Sequence, residues 1–352
     1  MCLATVSRVS ANGDYQRLAE QFDRALCPSF ASLPAYRFRD DSTLANETYW
    51  HSRLAFKACS YEIASAEKAG DGDRAPAEAL RLEDVWKRPL GATVTGLRAP
   101  VRSAEGHMRL TALVHVVSAL ERYVDEIARL AMLSDPLLIP GFPKKVDGLE
   151  LLDRRHLYRL RVPPTVDLVK GEWSKRIAAI RDWLGDDVAD VFRANESNLE
   201  KMREIRNSAA HGLGAFHVGS TWNESSAITN LTASWLDKAS APLALSDDRL
   251  LSYMAVCQGI VSRVDAIVLR NFVGAYEVPA VYLSWLQDPL TLEEKLNLSY
   301  PGHLRGHWRL EVRGARKFIG TVIPRGNIPS TYVEGMLQYL DQIGVLDRFR
   351  SN

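Results

Sequence analysis

Apolar residues recur every three or four positions along several segments of the chain, a spacing typical of amphipathic helices. The longest such segment spans residues 108–133, where the apolar positions step by 4-3-4-3-4. These positions are Leu113, Val117, Leu120, Val124, Ile127 and Ala131. A second segment, residues 172–184, is followed by Gly185, which suits the position after a helix end. Its apolar positions are Trp173, Ile177, Ile180 and Leu184.

Two further helices are predicted downstream. The third is capped by Asp186 or Asp187 and runs into residues 204–214. Its apolar positions are Val188, Phe192, Leu199 and Met202. The fourth is capped by Ser246, and its apolar positions are Leu250, Met254, Cys257, Val261, Val264 and Val268. Four such helices predict a bundle between about residues 105 and 275, with residues 212–245 as a long loop or inserted element.

The regions on either side of this bundle have weaker patterns. Residues 14–27 and 46–69 show helical spacing, and residues 89–100 (PLGATVTGLRAP) have the composition of a domain boundary. The second of these helices is predicted to bury an apolar stripe formed by Trp50, Leu54, Ala58 and Tyr61. Residues 1–100 are therefore predicted to form a mainly helical accessory region.

The C-terminal region has a different composition. Residues 308–313 (WRLEVR) and 316–323 (RKFIGTVI) resemble strands and flank Gly314 and Ala315, which predicts a hairpin. Residues 331–344 then have the pattern of a helix. The predicted fold is mainly α, with a helical bundle over residues 101–275 and a small α+β appendage over 276–352.

Composition excludes several broad classes of protein. Hydrophobic residues make up 46% of the 352 positions and charged residues 25%, as in chains that build a core. The 44 basic and 43 acidic residues give no overall bias toward polyanions, so a nucleic-acid site must be a local patch. Four dispersed cysteines read as free thiols. No leader or membrane span is predicted, so the sequence favours a cytoplasmic location.

One short segment combines residue types that suit nucleic-acid chemistry. In EIRNSAAHGLG, Arg206 and Asn207 precede three small residues (Ser208, Ala209 and Ala210) and His211. Arginine presents a fixed fork of donors to a phosphate, and histidine exchanges protons near neutral pH. Together they suffice for cleavage of RNA by its own 2′-hydroxyl, with Asn207 orienting either group. The small residues would let a second copy of the helix approach closely.

The spacing by itself is weak evidence. Arg102 and His107 have the same separation, although a glycine lies between them and they precede the predicted helix. A simpler interpretation of residues 206–211 is a helix end whose basic residue lies favourably near the C-terminal dipole.

The segment RNSAAH at the end of a predicted helix resembles the R-x4-6-H motif of the HEPN domain superfamily. The predicted helix at residues 110–133 also resembles the long first helix of those domains. The resemblance implies a HEPN-like bundle over roughly half the chain, a homodimer and no cofactor. By this resemblance Arg206 and His211 correspond to the catalytic residues of those domains, and Asn207 corresponds to the polar residue that supports them. Many such domains are metal-independent endoribonucleases of toxin–antitoxin or phage-defence systems, with RNA as substrate and an antitoxin or defence partner.

Two alternatives to the nuclease remain open. One is a catalytically silent HEPN-like module that binds RNA, nucleotide or a protein partner, and the other is a plain helical scaffold. No phosphate-binding loop, dinucleotide fingerprint or zinc-protease motif is present. His303 and His307 lack an acidic or cysteine neighbour, so no metal site is predicted.

Further residues are candidates for supporting roles. Glu121, at the edge of the apolar stripe of its helix, is a candidate to orient Arg206 or His211, although an edge glutamate more commonly only faces solvent. Two basic clusters are candidate RNA-binding patches; as isolated clusters, solvated surface is the simpler account of each. Their members are Arg154, Arg155 and Arg159 in the first, and Arg309, Arg313, Arg316 and Lys317 in the second.

Overall fold

The protein is mainly helical, as a computed structural model shows. The structure describes residues 22–26, 31–81, 92–140, 142, 146–153, 162–212, 245–287, 307–322 and 329–350. None of these residues belongs to a β-strand. The mainly α fold predicted from the sequence is therefore confirmed. The predicted 14–27 helix and most of the 212–245 segment lie outside the described residues.

Thirteen α-helices are formed by the described residues. Their bounds, in chain order, are α1 Leu33–Lys68, α2 Pro76–Ala79, α3 Arg98–Ser134, α4 Gly148–Asp153, α5 Val166–Val169, α6 Trp173–Leu184, α7 Asp186–Arg193, α8 Glu196–Gly212, α9 Asp247–Val268, α10 Glu277–Gln287, α11 Val312–Val322, α12 Ser330–Gln342 and α13 Asp347–Arg350. Short 3-10 segments occupy Thr95–Leu97, Pro136–Leu138 and His307–Leu310, and a π-helical turn, Leu269–Val273, continues α9.

Helix α3 is the central element of the fold. All six positions of its predicted stripe are buried, and α1, α8 and α9 pack against it. One contiguous apolar core includes residues from Ala35 in α1 to Leu346 near the C-terminus. The three predicted regions thus share a core. Helix α3 also begins at Arg98, inside the segment predicted as a boundary.

The predicted third helix is in fact two helices. Val188, Phe192, Leu199 and Met202 are buried as expected, but residues 194 and 195 form a turn between α7 and α8. The Asn195 side chain donates to the carbonyl of Val191 at 2.9 Å, which satisfies an acceptor at the end of α7. Gly185 is left-handed, with φ +85°, and is itself the N-cap of α7. The predicted caps Asp186 and Asp187 instead occupy the first turn, where they complement the helix dipole.

Helix α9 agrees closely with its prediction. The Ser246 hydroxyl accepts from the amide of Arg249 at 3.3 Å, so Ser246 caps the helix, and all six predicted apolar positions are buried. By length and composition alone, Asp247–Val273 is also able to cross a membrane. Of its most apolar stretch of eighteen residues, 44% is buried inside the protein, and the core helices of soluble proteins can be equally long and apolar.

The predicted core face of α1 is wrong. Trp50, Leu54 and Tyr61 are 41%, 70% and 70% exposed. The buried positions are instead Ala35, Phe38, Ala45, Tyr49 and Ile63. The helix starts at Leu33, earlier than predicted, and packs on α3 through the face that carries Phe38, Tyr49 and Ile63, which leaves the predicted stripe in solvent.

The predicted C-terminal hairpin is also wrong. Residues 312–322 form α11, and α12 confirms only the helix predicted at 331–344. The buried positions of α11 are Gly314, Ala315, Phe318 and Ile319, a helical rather than an alternating pattern. Phe318 stacks on Trp285 of α10 with ring centroids 4.4 Å apart. The predicted α+β appendage is therefore helical over its described residues.

Two buried carboxyl groups hold the beginning of α1. The amide of Ser32 donates to Asp265 at 3.1 Å, and the amide of Leu33 donates to Glu277 at 2.9 Å. Asp265 is 4% exposed and Glu277 is 6% exposed. These contacts satisfy amide groups that a helix start leaves unpaired, and they fasten α1 to α9 and α10. Burial raises the pKa of Glu277 to about 8, with the nearby charge of Asp265 acting in the same direction.

We expect this carboxyl group to make stability depend on pH. Between the pKa of an exposed glutamate and about 8, folded Glu277 keeps a proton that the unfolded chain releases. The free energy of unfolding therefore falls as pH rises through this window. Glu277→Gln keeps an acceptor for Leu33 but cannot ionise. Urea unfolding at pH 5.5 and 7.5 should show the wild type losing about 2 kcal/mol more than the variant, whereas parallel losses would contradict the assignment.

Candidate functional site

Helix α8 presents Arg206 at the edge of its buried face, one turn after Met202. Leu199 and Met202 lie in the core, with the sulfur of Met202 3.9 Å from that of Cys257 in α9. Arg203, Arg206 and Asn207 follow one another at helical spacing and are only partly buried. The core contacts of α8 therefore fix which side chains reach the surface.

The Arg206 side chain bridges two partners. Its guanidinium donates to the side-chain oxygen of Asn207 at 2.9 Å and to a carboxylate oxygen of Glu121 in α3. Helix α3 therefore does face the motif, and Glu121 contacts Arg206 as the sequence suggested. The Arg206 side chain keeps 29% exposure, so its remaining donors are accessible to a ligand.

A second arginine shares the same carboxylate. Arg176 of α6 donates to the other oxygen of Glu121 at 3.0 Å and to the carbonyl of Gly171 at 2.9 Å. Its guanidinium lies over the ring of Trp173, 4.6 Å from the centroid, and its side chain is 3% exposed. Burial lowers the pKa of Arg176, while Glu121 raises it. One carboxylate thus pairs with two guanidinium groups, leaving a net positive charge, and joins three helices at this point.

These residues line an open cleft of about 580 Å³ between α3, α8 and the junction of α5 with α6. Its lining contains five basic side chains against two carboxylates, so the cleft carries net positive charge. The basic residues are Arg122, Lys170, Arg176, Arg203 and Arg206, and the acidic ones are Glu121 and Asp125. We call this the Arg206 cleft. Such a surface attracts phosphate groups.

Most of these basic residues were not candidates from the sequence. Arg203 lies one turn before Arg206 and pairs with Glu200, which also accepts from the amide of Trp173 at 3.2 Å. Hydrogen bonding to Arg203 lowers the pKa of Glu200. The three-residue spacing of Arg203 and Arg206, which places them on one side of a helix, was the sequence pattern that could have identified Arg203 as a member of this site. Arg176 and Lys170 become neighbours of Arg206 only through the packing of α6.

His211 and Ser208 are two further residues of the motif, and the structure describes the backbone of the first and the burial of the second. The backbone of His211 lies in the last turn of α8, as predicted, one turn after Asn207; its side chain is outside the described part. Ser208 is 6% exposed. It therefore faces the core of its own chain rather than a second helix, which corrects the expectation for this small residue.

Of the two candidate basic patches, the structure describes only the second. Arg154, Arg155 and Arg159 lie outside the described residues. In the second patch, Arg313, Arg316 and Lys317 are exposed at helical spacing on α11. Arg309 is partly buried and lies 5.5 Å from the ring centroid of Trp285, and it precedes α11, so Arg309 and Arg313 do not share the face of a strand. None of the four lines the Arg206 cleft.

Metal ligands and thiols add no further site to the part of the chain that the structure describes. Within it, no three His, Cys, Asp or Glu side chains are grouped to hold a metal ion. Cys59 and Cys257 are free thiols, and Cys257 is fully buried. The pair His303 and His307 is not covered, because position 303 and the side chain of position 307 lie outside the description.

The Arg206 cleft thus unites a partly exposed guanidinium, an amide and a shared carboxylate in a positive surface, which suits the binding of a phosphodiester. Comparison of the chain with protein-family models, with curated proteins and with solved structures finds no match to any of them.

Proposed function

We propose that the protein is a metal-independent endoribonuclease of HEPN type. The observation that carries the proposal is the guanidinium of Arg206, held by Glu121 and Asn207 on the wall of the Arg206 cleft. A guanidinium fixed by two partners is oriented before a phosphate arrives, so less entropy is lost when the phosphate binds. The motif resemblance supplies the reaction type and the expectation of a homodimer.

The reaction needs only groups of the motif and of the RNA. His211 would take the proton of a ribose 2′-hydroxyl, whose oxygen attacks the adjacent phosphorus while the bond to the 5′-oxygen breaks. Protonated His211 would then give this proton to the leaving oxygen, leaving a 2′,3′-cyclic phosphate and a 5′-hydroxyl. Arg206 would stabilise the charge that develops on the phosphate, and Asn207 would keep Arg206 in position.

The test compares cleavable and non-cleavable RNA in excess EDTA. We expect wild-type protein to cut RNA, to leave 2′,3′-cyclic ends and to spare the same sequence with 2′-O-methyl groups. Arg206→Ala and His211→Ala should each abolish cleavage. No cutting across varied RNAs, or cutting that survives both substitutions, would overturn the proposal.

A second candidate function is a catalytically silent module that binds RNA, nucleotide or a protein partner. The contact that favours it is the ion pair of Arg206 with Glu121, because this carboxylate competes with a phosphate for the same donors. Binding without cleavage, weakened steeply by added salt, would identify this function. A monomer by light scattering that still cuts RNA would contradict the homodimer. A toxin or phage-defence setting, with an antitoxin or defence partner, rests on the resemblance.

A further inference from the structure

A second cleft, of about 1210 Å³, opens between α1, the first turns of α3 and the start of α9. Its lining includes Trp50 and Arg53 from α1, Arg102 and His107 from α3, and Asp247 from α9. Arg102 and His107 lie within α3, not before it as the sequence suggested. The pair thus belongs to a cavity of its own.

One wall of the second cleft is fixed by hydrogen bonds. Asp247 accepts from the hydroxyl of Tyr49 at 2.6 Å and pairs with Arg53 and Arg109, each at 2.6 Å. This network holds the guanidinium of Arg53 against Trp50, 5.0 Å from the ring centroid. The Trp50 ring therefore has a defined position while remaining 41% exposed.

Other groups in the second cleft lack a partner among the described residues. Arg102 and His107 are exposed, and no described side chain pairs with either. The Nε donor of Arg53 is buried and has no acceptor in the described part of the chain. Arg53 and Arg109 pair with Asp247, and Arg109 also pairs with Glu105 at 3.0 Å, so Arg102 is the guanidinium of this lining without a carboxylate partner among the described residues. Unpaired donors beside an exposed aromatic ring have the chemistry of a binding site for a flat, anionic molecule.

We propose that the second cleft binds a nucleotide unit, with the base stacked on Trp50 and the phosphate paired with Arg102. Every base offers a flat face to an aromatic ring, and arginine matches the oxygens of a phosphate. The nucleotide has two sources: a free mononucleotide, or one residue of an RNA strand that also occupies the Arg206 cleft.

The geometry of α3 favours one residue of an RNA strand over a free mononucleotide as the ligand. This step rests on the proposed function. His107 of the second cleft and Asp125 of the Arg206 cleft are eighteen positions apart in α3. Eighteen residues make five turns, so the two positions lie on the same side of the helix, about 27 Å apart. A stacked single strand advances about 3.4 Å per nucleotide, so about eight steps, or about nine nucleotides, cover this distance.

The experiment measures binding separately from cleavage. A fluorescein-labelled 2′-O-methyl RNA of twelve nucleotides, which cannot be cut through its 2′ position, is titrated by fluorescence anisotropy, and AMP, GMP, CMP and UMP are titrated by calorimetry. The variants are Trp50→Leu and Arg102→Gln. Their matched controls are Leu54→Ala, one turn after Trp50, and Arg263→Gln, an exposed residue of α9 that lines neither cleft. Circular dichroism checks that all four fold.

We expect Trp50→Leu to weaken binding of the oligonucleotide about five-fold or more, and Arg102→Gln to lower the slope of its salt dependence by about one. The controls should stay within about two-fold. Loss of mononucleotide binding in the same variants identifies a free nucleotide as the ligand, and loss confined to the oligonucleotide identifies the strand.

Unchanged affinity for every ligand in both variants would overturn the inference even if the wild type cuts RNA. Conversely, Trp50-dependent binding by a protein that cuts no RNA would support the second cleft and refute the nuclease.

Discussion

Replacing Arg206 by lysine is expected to slow RNA cleavage about a hundred-fold or more, although the positive charge is kept. The guanidinium donates to Glu121 and Asn207 through separate nitrogens and still has donors for a phosphate. A lysine ammonium is a single point on a flexible chain and cannot hold both partners while it binds a third. Losing one fixed donor to a developing oxyanion has an effect of this size.

Arg203→Lys is the matched control for this substitution. Arg203 lies in the same cleft, one turn earlier in α8, and pairs with Glu200. An ammonium can satisfy that single carboxylate, so the rate should change by less than about three-fold. Single-turnover cleavage in EDTA is the measurement. Equal slowing by the two substitutions would mean that charge, rather than the fixed fork of Arg206, is what the reaction needs.

Helix positions in the bundle were predictable because their apolar residues follow a single period. Every predicted stripe position of α3, α6 and α9 is buried. The turn at residues 194–195 was not predictable from that pattern, since α7 and α8 both turn the same kind of apolar face to the core. The period of the apolar residues identifies the buried face, but it does not show where one helix ends and the next begins when both bury the same kind of face.

The errors at the two ends of the chain have distinct physical causes. Trp50, Leu54 and Tyr61 form a helical stripe, but tertiary packing of α1 on α3 buries Phe38 and Tyr49 instead. Residues 316–322 are rich in residues that favour strands, yet burial at α11 follows a helical period because Phe318 must meet Trp285. Local composition is overruled in both places by the partner that the segment packs against.

The candidate site was only partly readable from the sequence. Arg206 contacts Asn207 and Glu121, so of the two possibilities that the sequence offered for Glu121 the contact is the one observed, since a residue at the edge of a buried helix face can reach a neighbouring helix. Arg176 was missed because nothing in the amphipathic helix α6 marks it, and it becomes a neighbour of Glu121 only after α6 packs. Neighbours that are far apart in sequence are set by packing, which a single sequence does not specify.

The carboxylate that joins these arginines should have a large effect on stability. We expect Glu121→Gln to lower the free energy of unfolding by about 3 kcal/mol, because it leaves the guanidinium of Arg176, 3% exposed, without a counter-charge. Glu200→Gln is the matched control. Its partner Arg203 is 22% exposed, so water can solvate the charge, and the loss should be below about 1 kcal/mol. Urea unfolding at constant pH measures both.

A double substitution separates the structural role of Glu121 from its role at Arg206. In Glu121→Gln/Arg176→Met the unpaired buried charge is gone, so we expect more than half of the lost stability to return. Arg206 still lacks its carboxylate partner in this protein, so cleavage should stay as slow as in Glu121→Gln alone. Recovery of cleavage together with stability would mean that Glu121 acts only through the fold, whereas stability losses that simply add would show that Glu121 and Arg176 are not coupled.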